Sequence, residues 1–509
     1  MFNLINKFYN VFSNTSTHNA SETDYIVNEI EQFLTSKKRA DMFTGEKYFV
    51  GNHDILYRKR MAIGDKGDLE EVTNLPNNKI VSNQYAKLVT QKTNYLLGRP
   101  YTITADNKSY NDVLNKIFDS SFHRTLKAIG EDALNCGIGW LFIRYDENGE
   151  LQFKRIRPTE LIPGWRDAEH TILDFAIRIY PVLTYNGVSE EEEFRVEVYD
   201  KSGVHYFRFD GTLTPCEPHH EPYFTMSVNG ESTPYNWSKI PLIPFKYNSH
   251  EVPLINKVKS LQDGLNLMLS DLENNLQEDV RSTILVLHEY DGENLGEFRR
   301  NLSTYGAVKV RSTGDAKGGV STLKIEVNPE NYKLIIELLK KAIIENGMGF
   351  DAKDDRMSTD PNQMNIQSMY SDIDLDANGM ETEFQVAMQQ VFWFVNAHLA
   401  NTGQGDFEDE PVKVIFNRDV LINEAEKINN IRASEGLISR ETLLARHPYV
   451  EDVQKELERI KKEEEENEAK FGYADFDPNR KGGGFDNLEH TKSGADAWET
   501  PTSIGLTAH

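Results

Sequence analysis

Apolar residues three and four positions apart recur along much of the chain and predict long amphipathic helices. One such stripe covers residues 254–276, directly after Pro253, and a second covers 332–343. The longest covers 366–398, which corresponds to roughly 50 Å of helix at 1.5 Å per residue. Because each helix has one narrow apolar face, it must bury that face against a neighbour and leave the opposite face in water.

The chain changes character at residue 138. Helical periodicity covers residues 22–135, with a short strand predicted at 101–104. From 138 to 247, short runs of alternating apolar and polar residues are bounded by turn residues, which is typical of antiparallel strands. Two of these runs flank Asn148-Gly149, a pair that favours a type I′ hairpin turn with positive φ at both residues. The pattern therefore predicts a meandering antiparallel sheet.

A small insert separates the first two long helices. Strands are predicted at 283–288, 307–311 and 320–327, and a helix at 293–304. The insert begins and ends at the two helices, so it is expected to be a self-contained α/β element.

A loop follows the second long helix. Residues 348–364 combine Gly, Pro, Asp and Ser without periodicity, which indicates a connection longer than most in compact domains. Long loops of this kind are often functional. After the longest helix, a strand is predicted at 412–416 and helices near 420–434, 440–446 and 450–470, and the polar composition from 471 onwards predicts a disordered tail.

Composition narrows the classes of protein. The chain has 509 residues, enough for three or four structural units, and 39% of them are hydrophobic, which excludes a disordered acidic protein. Lys and Arg total 56 against 81 Asp and Glu, giving a net charge of −25 that disfavours tight, general DNA binding. Two cysteines cannot build a disulfide framework or a Cys-based zinc cluster. With no apolar run long enough to span a membrane and no signal peptide, a soluble protein made in a reducing cytoplasm is expected.

A cluster of acidic residues is the strongest candidate for chemistry. Positions 1, 3, 5, 7 and 12 of an EF-hand calcium loop are matched by Asp372, Asp374, Asp376, Asn378 and Glu383. However, Ala377 stands where the loop needs glycine, and the helical stripe runs through the segment. Carboxylates two residues apart on a helix point about 200° away from each other, so a solvated helix face is favoured. The alternatives are a metal-dependent DNA-processing enzyme that uses the three aspartates and a calcium-regulated scaffold.

Other motifs are incomplete. The pair His219-His220, followed by Glu221, has no third metal ligand at a recognisable spacing. Residues 432–446 could form a DNA-binding helix-turn-helix, but their charges nearly cancel and favour a packed helix hairpin. No hydrolase, protease or phosphate-binding motif is present, so no catalytic residue, metal or cofactor is predicted.

The order of elements resembles the portal proteins of tailed bacteriophages. Five stretches resemble the branch found in long-tailed phages of Gram-positive hosts, and the likeness covers about residues 25–450. These stretches are Leu96-Leu97-Gly98-Arg99-Pro100, residues 132–140 (DALNCGIGW), Pro158-Thr159-Glu160, residues 240–245 and residues 370–393. The resemblance implies an α+β portal fold with an α/β wing, long stem helices, a small α/β clip, a long tunnel-to-wing helix and a helical crown, assembled as a ring.

The resemblance also implies a division of the chain. The parts are an N-terminal arm (1–24), the wing (25–252), a stem helix (253–279), the clip (280–328), a second stem helix (329–347), the tunnel loop (348–364), the long helix with the second part of the wing (365–416), the crown (417–470) and the tail (471–509).

The function implied by the resemblance is passage of the genome rather than catalysis. About twelve copies would form a ring at one capsid vertex of the virion, and double-stranded DNA would pass through its axis. The ring would assemble in the host cytoplasm with major capsid and scaffolding proteins, dock the terminase large subunit, and later bind a head-completion adaptor protein, with no membrane involved.

Candidate residues follow from these implied parts. The tunnel loop near DNA would present Asp351, Lys353, Asp354, Asp355, Arg356 and Met357. Clip contacts to partners would use Glu293, Arg299, Arg300 and Arg311. Stem packing would use Leu261, Leu265, Met268, Leu272, Ile335, Leu339 and Ile343.

Overall fold

A computed structural model describes residues 20–63, 68–73, 75–185, 190–228, 231–278, 284–288, 312–313, 316–317, 319–323, 329–351, 363–418, 424–445, 447, 449–450 and 453–471. The chain forms two compact units, residues 1–422 and 423–509, which are described separately.

The first unit contains both helices and strands. Its helices are α1 (Ala20–Leu34), α2 (Lys37–Phe49), α3 (Gln84–Leu97), α4 (Lys108–Ile117), α5 (Ser120–Cys136), α6 (Ile255–Glu278), α7 (Pro329–Asn346) and α8 (Gln363–Asn401). Its strands are β1 (Met61–Ile63), β2 (Leu69–Glu71), β3 (Thr102–Ala105), β4 (Ile138–Tyr145), β5 (Leu151–Ile156), β6 (Leu161–Trp165), β7 (Leu173–Tyr185), β8 (Glu190–Asp200), β9 (Gly203–Phe209), β10 (Leu213–Glu221), β11 (Phe224–Val228), β12 (Glu231–Tyr235), β13 (Leu242–Lys246), β14 (Ile284–His288), β15 (Ser312–Thr313), β16 (Ala316–Lys317), β17 (Gly319–Leu323) and β18 (Val412–Ile415).

Antiparallel pairing dominates the sheets. Strands β6 to β10 form a five-stranded sheet in sequential order, so this part of the predicted meander is confirmed. The prediction of one sheet over residues 138–247 is wrong, because β4, β5 and β13 form a separate sheet. Strand β4 lies between β5 and β13 in a second sheet. Strand β18, from the end of the unit, pairs with β3 near its beginning, and β14 pairs with β17 at the junction between α6 and α7.

The β4–β5 hairpin is present, but its predicted turn type is wrong. Gly149 has φ 81°, whereas Asn148 does not have the positive φ that a type I′ turn requires. The amide of Gly149 donates to the carbonyl of Asp146, and the amide of Asp146 donates to the carbonyl of Glu150. This pattern is a three-residue loop with glycine in the left-handed position. The side chain of Asp146 accepts from the amides of Asn148 and Glu150 and so favours this turn.

The main hydrophobic core lies where α8 crosses the β4 sheet and the helices α3 and α5. Its buried side chains include Leu88, Ile129, Phe245, Phe384 and Val391. Helix α5 begins after the cap Asp119, whose carboxylate accepts from two amides of the first turn, and it ends at Gly137, which has φ 85°. Smaller clusters join α1 to one face of the five-stranded sheet and connect β4 and β13 with that sheet.

The second unit is helical where it is described. It contains α9 (Glu424–Ala433), α10 (Arg440–Ala445) and α11 (Val453–Phe471). Helix α10 packs against α11, and the guanidinium of Arg440 pairs with Glu464 at 2.6 Å. This contact places α10 against a neighbouring helix, and the hairpin within residues 432–446 stays a prediction.

Several predicted elements lie outside the described residues. These are the arm up to residue 19, the helix at 293–304, the strand at 307–311 and the tail after residue 471. Among the described helices, none combines the length and the apolar composition needed to span a membrane.

Candidate functional site

Helices α6 and α7, which the sequence predicts to be stem helices, pack against each other and against the main core. Leu265 of α6 and Ile343 of α7 are fully buried. Leu261, Met268, Leu272 and Leu339 are partly buried against the core cluster. Ile335 differs because 42% of it is exposed in a single chain. Its predicted packing therefore requires a neighbouring molecule and stays a prediction.

A second face of α6 carries a row of buried polar side chains that the sequence interpretation missed. Gln262, Asn266, Ser270 and Asn274 follow one another at intervals of four residues, and none is more than 3% exposed. We call this row the polar ladder and the opposing residues 78–84 the strap. Four residues of helix rise about 6 Å, close to the roughly 6.6 Å that two residues of extended chain span.

Each member of the ladder binds a main-chain amide of the strap. Asn274 accepts from the amide of Asn78, and Ser270 accepts from the amide of Ile80. Asn266 accepts from the amide of Ser82 at 3.0 Å. Gln262 accepts from the amides of Gln84 and Tyr85, which are the first two residues of α3. The ladder therefore supplies buried partners for alternate strap amides and for the start of α3.

The strap leads directly into α3, and α3 holds the chain where it leaves α7. Gly347 and Gly349 lie against Leu88, since a Cβ on either glycine would fall 2.5 or 2.3 Å from a methyl group of Leu88. Between them Met348 has φ 49°, a left-handed conformation that is unfavourable for a residue with a side chain. Helix α7 ends at Asn346, directly before Gly347, and the left-handed residue is Met348.

Lys92 on α3 links this strained turn to α8. Its ammonium group donates to the carbonyl oxygen of Met348 at 3.0 Å and to the carboxylate of Asp376 at 2.6 Å. The side chains of Lys92 and Asp376 are 3% and 9% exposed, so the ion pair is buried. Burial lowers the pKa of Lys92, and the charge of Asp376 opposes this effect. Tyr247 also donates to Asp376 at 2.8 Å, while burial and the charge of Asp376 raise the pKa of Tyr247.

An aromatic cluster joins the two ends of the 348–364 loop. Phe350, at its beginning, stacks on Tyr370 of α8 with ring centroids 4.4 Å apart. Tyr370 in turn stacks on Tyr95 of α3 at 5.8 Å. The amide side chain of Gln91 donates to the carbonyl of Phe350 at 2.9 Å. One face of α3 thus fixes both ends of the loop, and we call these contacts the loop base.

The acidic residues of α8 have separate protein partners rather than a common centre. All of the EF-hand positions lie within the helix, so they cannot form the calcium loop. Asp374 accepts from the hydroxyl of Tyr95 at 2.7 Å and from Arg418 at 2.5 Å, whereas Asp376 binds Lys92. Within the part of the chain that the structure describes, no three His, Cys, Asp or Glu side chains could hold a metal ion. The metal-dependent enzyme therefore finds no support.

The two adjacent histidines, His219 and His220, contact main-chain carbonyls of neighbouring strands and turns. Nδ1 of His219 faces the carbonyl of Tyr206 at 3.3 Å, and Nε2 of His220 faces the carbonyl of Ser202 at 3.0 Å. Both contacts lie within the five-stranded sheet region, which agrees with a structural role.

Most of the predicted loop and clip residues cannot be placed. Asp351 is described and is partly buried beside the loop base. Lys353, Asp354, Asp355, Arg356 and Met357 lie outside the described residues, as do Glu293, Arg299, Arg300 and Arg311.

Comparison with known proteins gives the family. The model of the family described as phage portal protein, SPP1 Gp6-like, matches residues 32–470. The portal protein of Bacillus phage SPP1 is 30% identical over 480 residues, covering 92% of each chain. The portal protein of Clostridium phage phiCD119 is 26% identical over 445 residues, covering 85% of this chain and 94% of the relative.

These matches agree with the order of elements described above. Both relatives come from phages of Bacillus or Clostridium, in line with the branch expected from the sequence. The mixed helix and strand architecture is consistent with the expected α+β portal fold. Because the family model covers most of its length, the chain belongs to the phage portal protein family, SPP1 Gp6-like.

Proposed function

We propose that about twelve copies of this chain form the ring through which the phage genome enters and leaves the capsid. Membership of the portal family implies an oligomeric ring at a capsid vertex, a passage for DNA and a structural role. The match over residues 32–470 is the observation that carries the proposal. The copy number, the partners and the residues at each contact go beyond what family membership implies and are part of the proposal.

The exposed face of α7 supports contact between neighbouring copies. Leu334, Ile335 and Leu338 lie within little more than one turn and are 56%, 42% and 57% exposed. Leu276, near the end of α6, is 59% exposed. Covering these side chains with a second copy would remove apolar surface from water, the main favourable term in association. In a ring each chain would place this face against the next one.

Charge supports passage of DNA without retention. The chain carries a net charge of −25, so about twelve copies would carry about −300. Residues 348–364 contain four aspartates, one lysine and one arginine, which gives this segment a net charge of −2. Such a surface repels phosphates at short range, so the duplex would slide past the loop residues 351–357 rather than bind there.

The clip, residues 280–328, is proposed as the docking site for partners. It joins α6 to α7, and the described pairing of β14 with β17 brings its two ends together. The terminase large subunit would bind here during packaging and supply ATP hydrolysis, and a head-completion adaptor protein would replace it. Glu293, Arg299, Arg300 and Arg311 are the proposed contacts. Assembly with major capsid and scaffolding proteins would take place in the host cytoplasm.

Native mass measurement at micromolar concentration tests the ring. We expect a species near twelve times the chain mass of 58.3 kDa, and a monomer or dimer alone would overturn the proposal. The double variant Leu334→Glu, Leu338→Glu should shift the population toward smaller species, because it places charge on the proposed contact. Lys333→Glu, which changes charge at a residue beside Leu334, is the matched control and should keep the ring.

A further inference from the structure

The side chain of Lys92 bonds both to the turn that leaves α7 and to the carboxylate of Asp376 on α8. Its ammonium group has three protons, and two of them are directed to the carbonyl of Met348 and to Asp376. Met348 is the first residue of the 348–364 loop, and Asp376 lies on the helix that follows the loop. A single buried cation therefore connects the start of the loop with the helix after it.

The surroundings make this contact hard to replace. The carbonyl that Lys92 binds belongs to Met348, whose left-handed conformation needs compensation. Leu88, one turn earlier on α3, fills the space beside Gly347 and Gly349 and fixes the path of the backbone. A second lysine, Lys257, also approaches Asp376, at 3.5 Å, but its side chain is 38% exposed. Lys257 hydrogen-bonds the hydroxyl of Tyr247 rather than the turn.

Helix α3 is itself fixed to the stem. Its first two amides bind Gln262, and the strap before it follows the polar ladder of α6. Lys92 lies two turns further along the same helix. A continuous set of hydrogen bonds thus runs from the stem helix, through the strap and α3, to the loop base.

We propose that Lys92 is a positioning residue of the conduit, which sets the place of the loop base relative to the stem. It acts through the backbone of Met348 and through Asp376 and does not contact DNA. This inference rests on the proposed ring function, since the position of the loop base matters for DNA only in a ring.

Two single variants distinguish the loss of the bond between Lys92 and Met348 from the loss of a positive charge beside Asp376. Lys92→Met removes the bond to Met348 and one cation from Asp376, whereas Lys257→Met removes a cation from the same carboxylate and leaves Met348 untouched. Rings of each variant are treated with trypsin, and cleavage after Lys353 and Arg356 is followed by mass spectrometry. We expect Lys92→Met to accelerate this cleavage at least about fivefold and Lys257→Met to leave it within about twofold of the original chain.

A double variant distinguishes positioning from general stability. Lys92→Met, Asp376→Asn removes both charges of the buried ion pair and keeps a side-chain acceptor for the hydroxyl of Tyr247. Removing both charges costs less stability than leaving one of them buried without its partner. We expect its melting temperature to recover toward that of the original chain while cleavage in the loop stays fast, because the bond to Met348 is still missing. If both the melting temperature and the rate of cleavage in the loop returned to their original values, Lys92 would only stabilise the fold, and the inference would be overturned.

The controls also separate this inference from the ring proposal. Failure of the original chain to form rings would refute the proposed function. Rings of Lys92→Met that are cleaved at the original rate would refute only the role of Lys92. In an assay of genome packaging, we expect Lys92→Met rings to package less DNA than Lys257→Met rings of equal abundance.

Discussion

At the scale of single residues, close backbone contacts decide which positions tolerate a side chain. Gly137 follows α5 with φ 85°, and a Cβ there would lie 2.1 Å from the carbonyl oxygen of Glu251. Gly149 has a similar φ of 81°, yet nothing lies within 4 Å of its Cβ position. The two glycines therefore share a backbone conformation and differ in their surroundings.

This difference gives a matched pair of substitutions. Gly149→Ala should destabilise the chain by about 1 kcal/mol, the cost of a left-handed alanine. Gly137→Ala should cost about 3 kcal/mol or more, because the backbone must also move away from Glu251. Thermal melting of both variants measures the difference, and equal shifts in melting temperature would contradict the account of Gly137.

A buried histidine gives the fold a pH dependence. His53 is fully buried, with Nε2 facing the carbonyl of Tyr48 at 3.0 Å and Nδ1 facing the side-chain nitrogen Nδ2 of Asn266 at 2.8 Å. Nε2 must donate to the carbonyl, so Nδ1 accepts and the ring is neutral. Burial lowers the pKa of His53, and burial also lowers the pKa of His123 and His398.

The sign of the effect follows from linkage. The unfolded chain binds the His53 proton more tightly than the folded chain, so stability is lost as the pH falls below about 6.5. We expect the melting temperature to be lower at pH 5.5 than at pH 7.5. His53→Gln should be less stable at pH 7.5 and show a smaller change between the two pH values. His250→Gln, at an exposed position, should behave like the original chain.

At the scale of elements, the polar ladder shows how a helix can hold a segment without a sheet. Asn266 is its central member, because it accepts from Ser82 and Gln262 and donates to His53. Removing its side chain leaves the amide of Ser82 and a nitrogen of His53 buried without partners. The ladder is therefore sensitive to single truncations, even though each bond alone contributes little.

Truncating the ladder tests this description. Asn266→Ala should destabilise the chain by about 2 to 3 kcal/mol, since buried polar groups lose their partners. Gln277→Ala removes an amide side chain from an exposed position of the same helix and should change stability by less than about 0.5 kcal/mol. Chemical denaturation compares the two variants, and a small effect of Asn266→Ala would show that water replaces the lost contacts.

The elements also show what the sequence could predict. Long helices and the strand meander follow from period and alternation, so α6, α7, α8 and the five-stranded sheet agree with expectation. The ladder was missed because polar residues at four-residue spacing are read as a solvated face, and their partners lie about 180 to 200 residues away. The role of Lys92 depends on the same kind of distant contact, with Met348 and Asp376. No local pattern reveals such pairs.

At the scale of the whole molecule, the excess of acidic over basic residues disfavours strong contacts with DNA phosphates. Basic residues are paired at several places, including Lys92 with Asp376, Arg418 with Asp374 and Arg155 with Asp132. These pairs leave less positive charge to meet a duplex. The net charge disfavours tight, general DNA binding, and this is compatible with the passage for DNA that membership of the portal family implies.

Weak binding is measurable. We expect assembled rings to bind linear duplex DNA with a Kd weaker than about 10⁻⁴ M near physiological salt, the weak end of non-specific binding. Replacing Asp354 and Asp355 by lysine changes the loop segment from −2 to +2 and should tighten binding in a salt-dependent way. Gel shifts at two salt concentrations test both statements. Micromolar affinity of the unmodified ring would contradict passage without retention.

The alternating bonds of the strap restrict the kinds of sequence change it can accept. The ladder side chains accept hydrogen bonds from the main-chain amides of residues 78, 80, 82 and 84. Many side chains of the strap can therefore be exchanged without altering these bonds. Proline is the exception at these positions because it has no amide hydrogen. The bonded amides are two residues apart, so deleting or inserting one residue would place the unbonded amides opposite the ladder and turn the bonded ones away from the helix. The strap can therefore diverge by substitution while its length stays fixed.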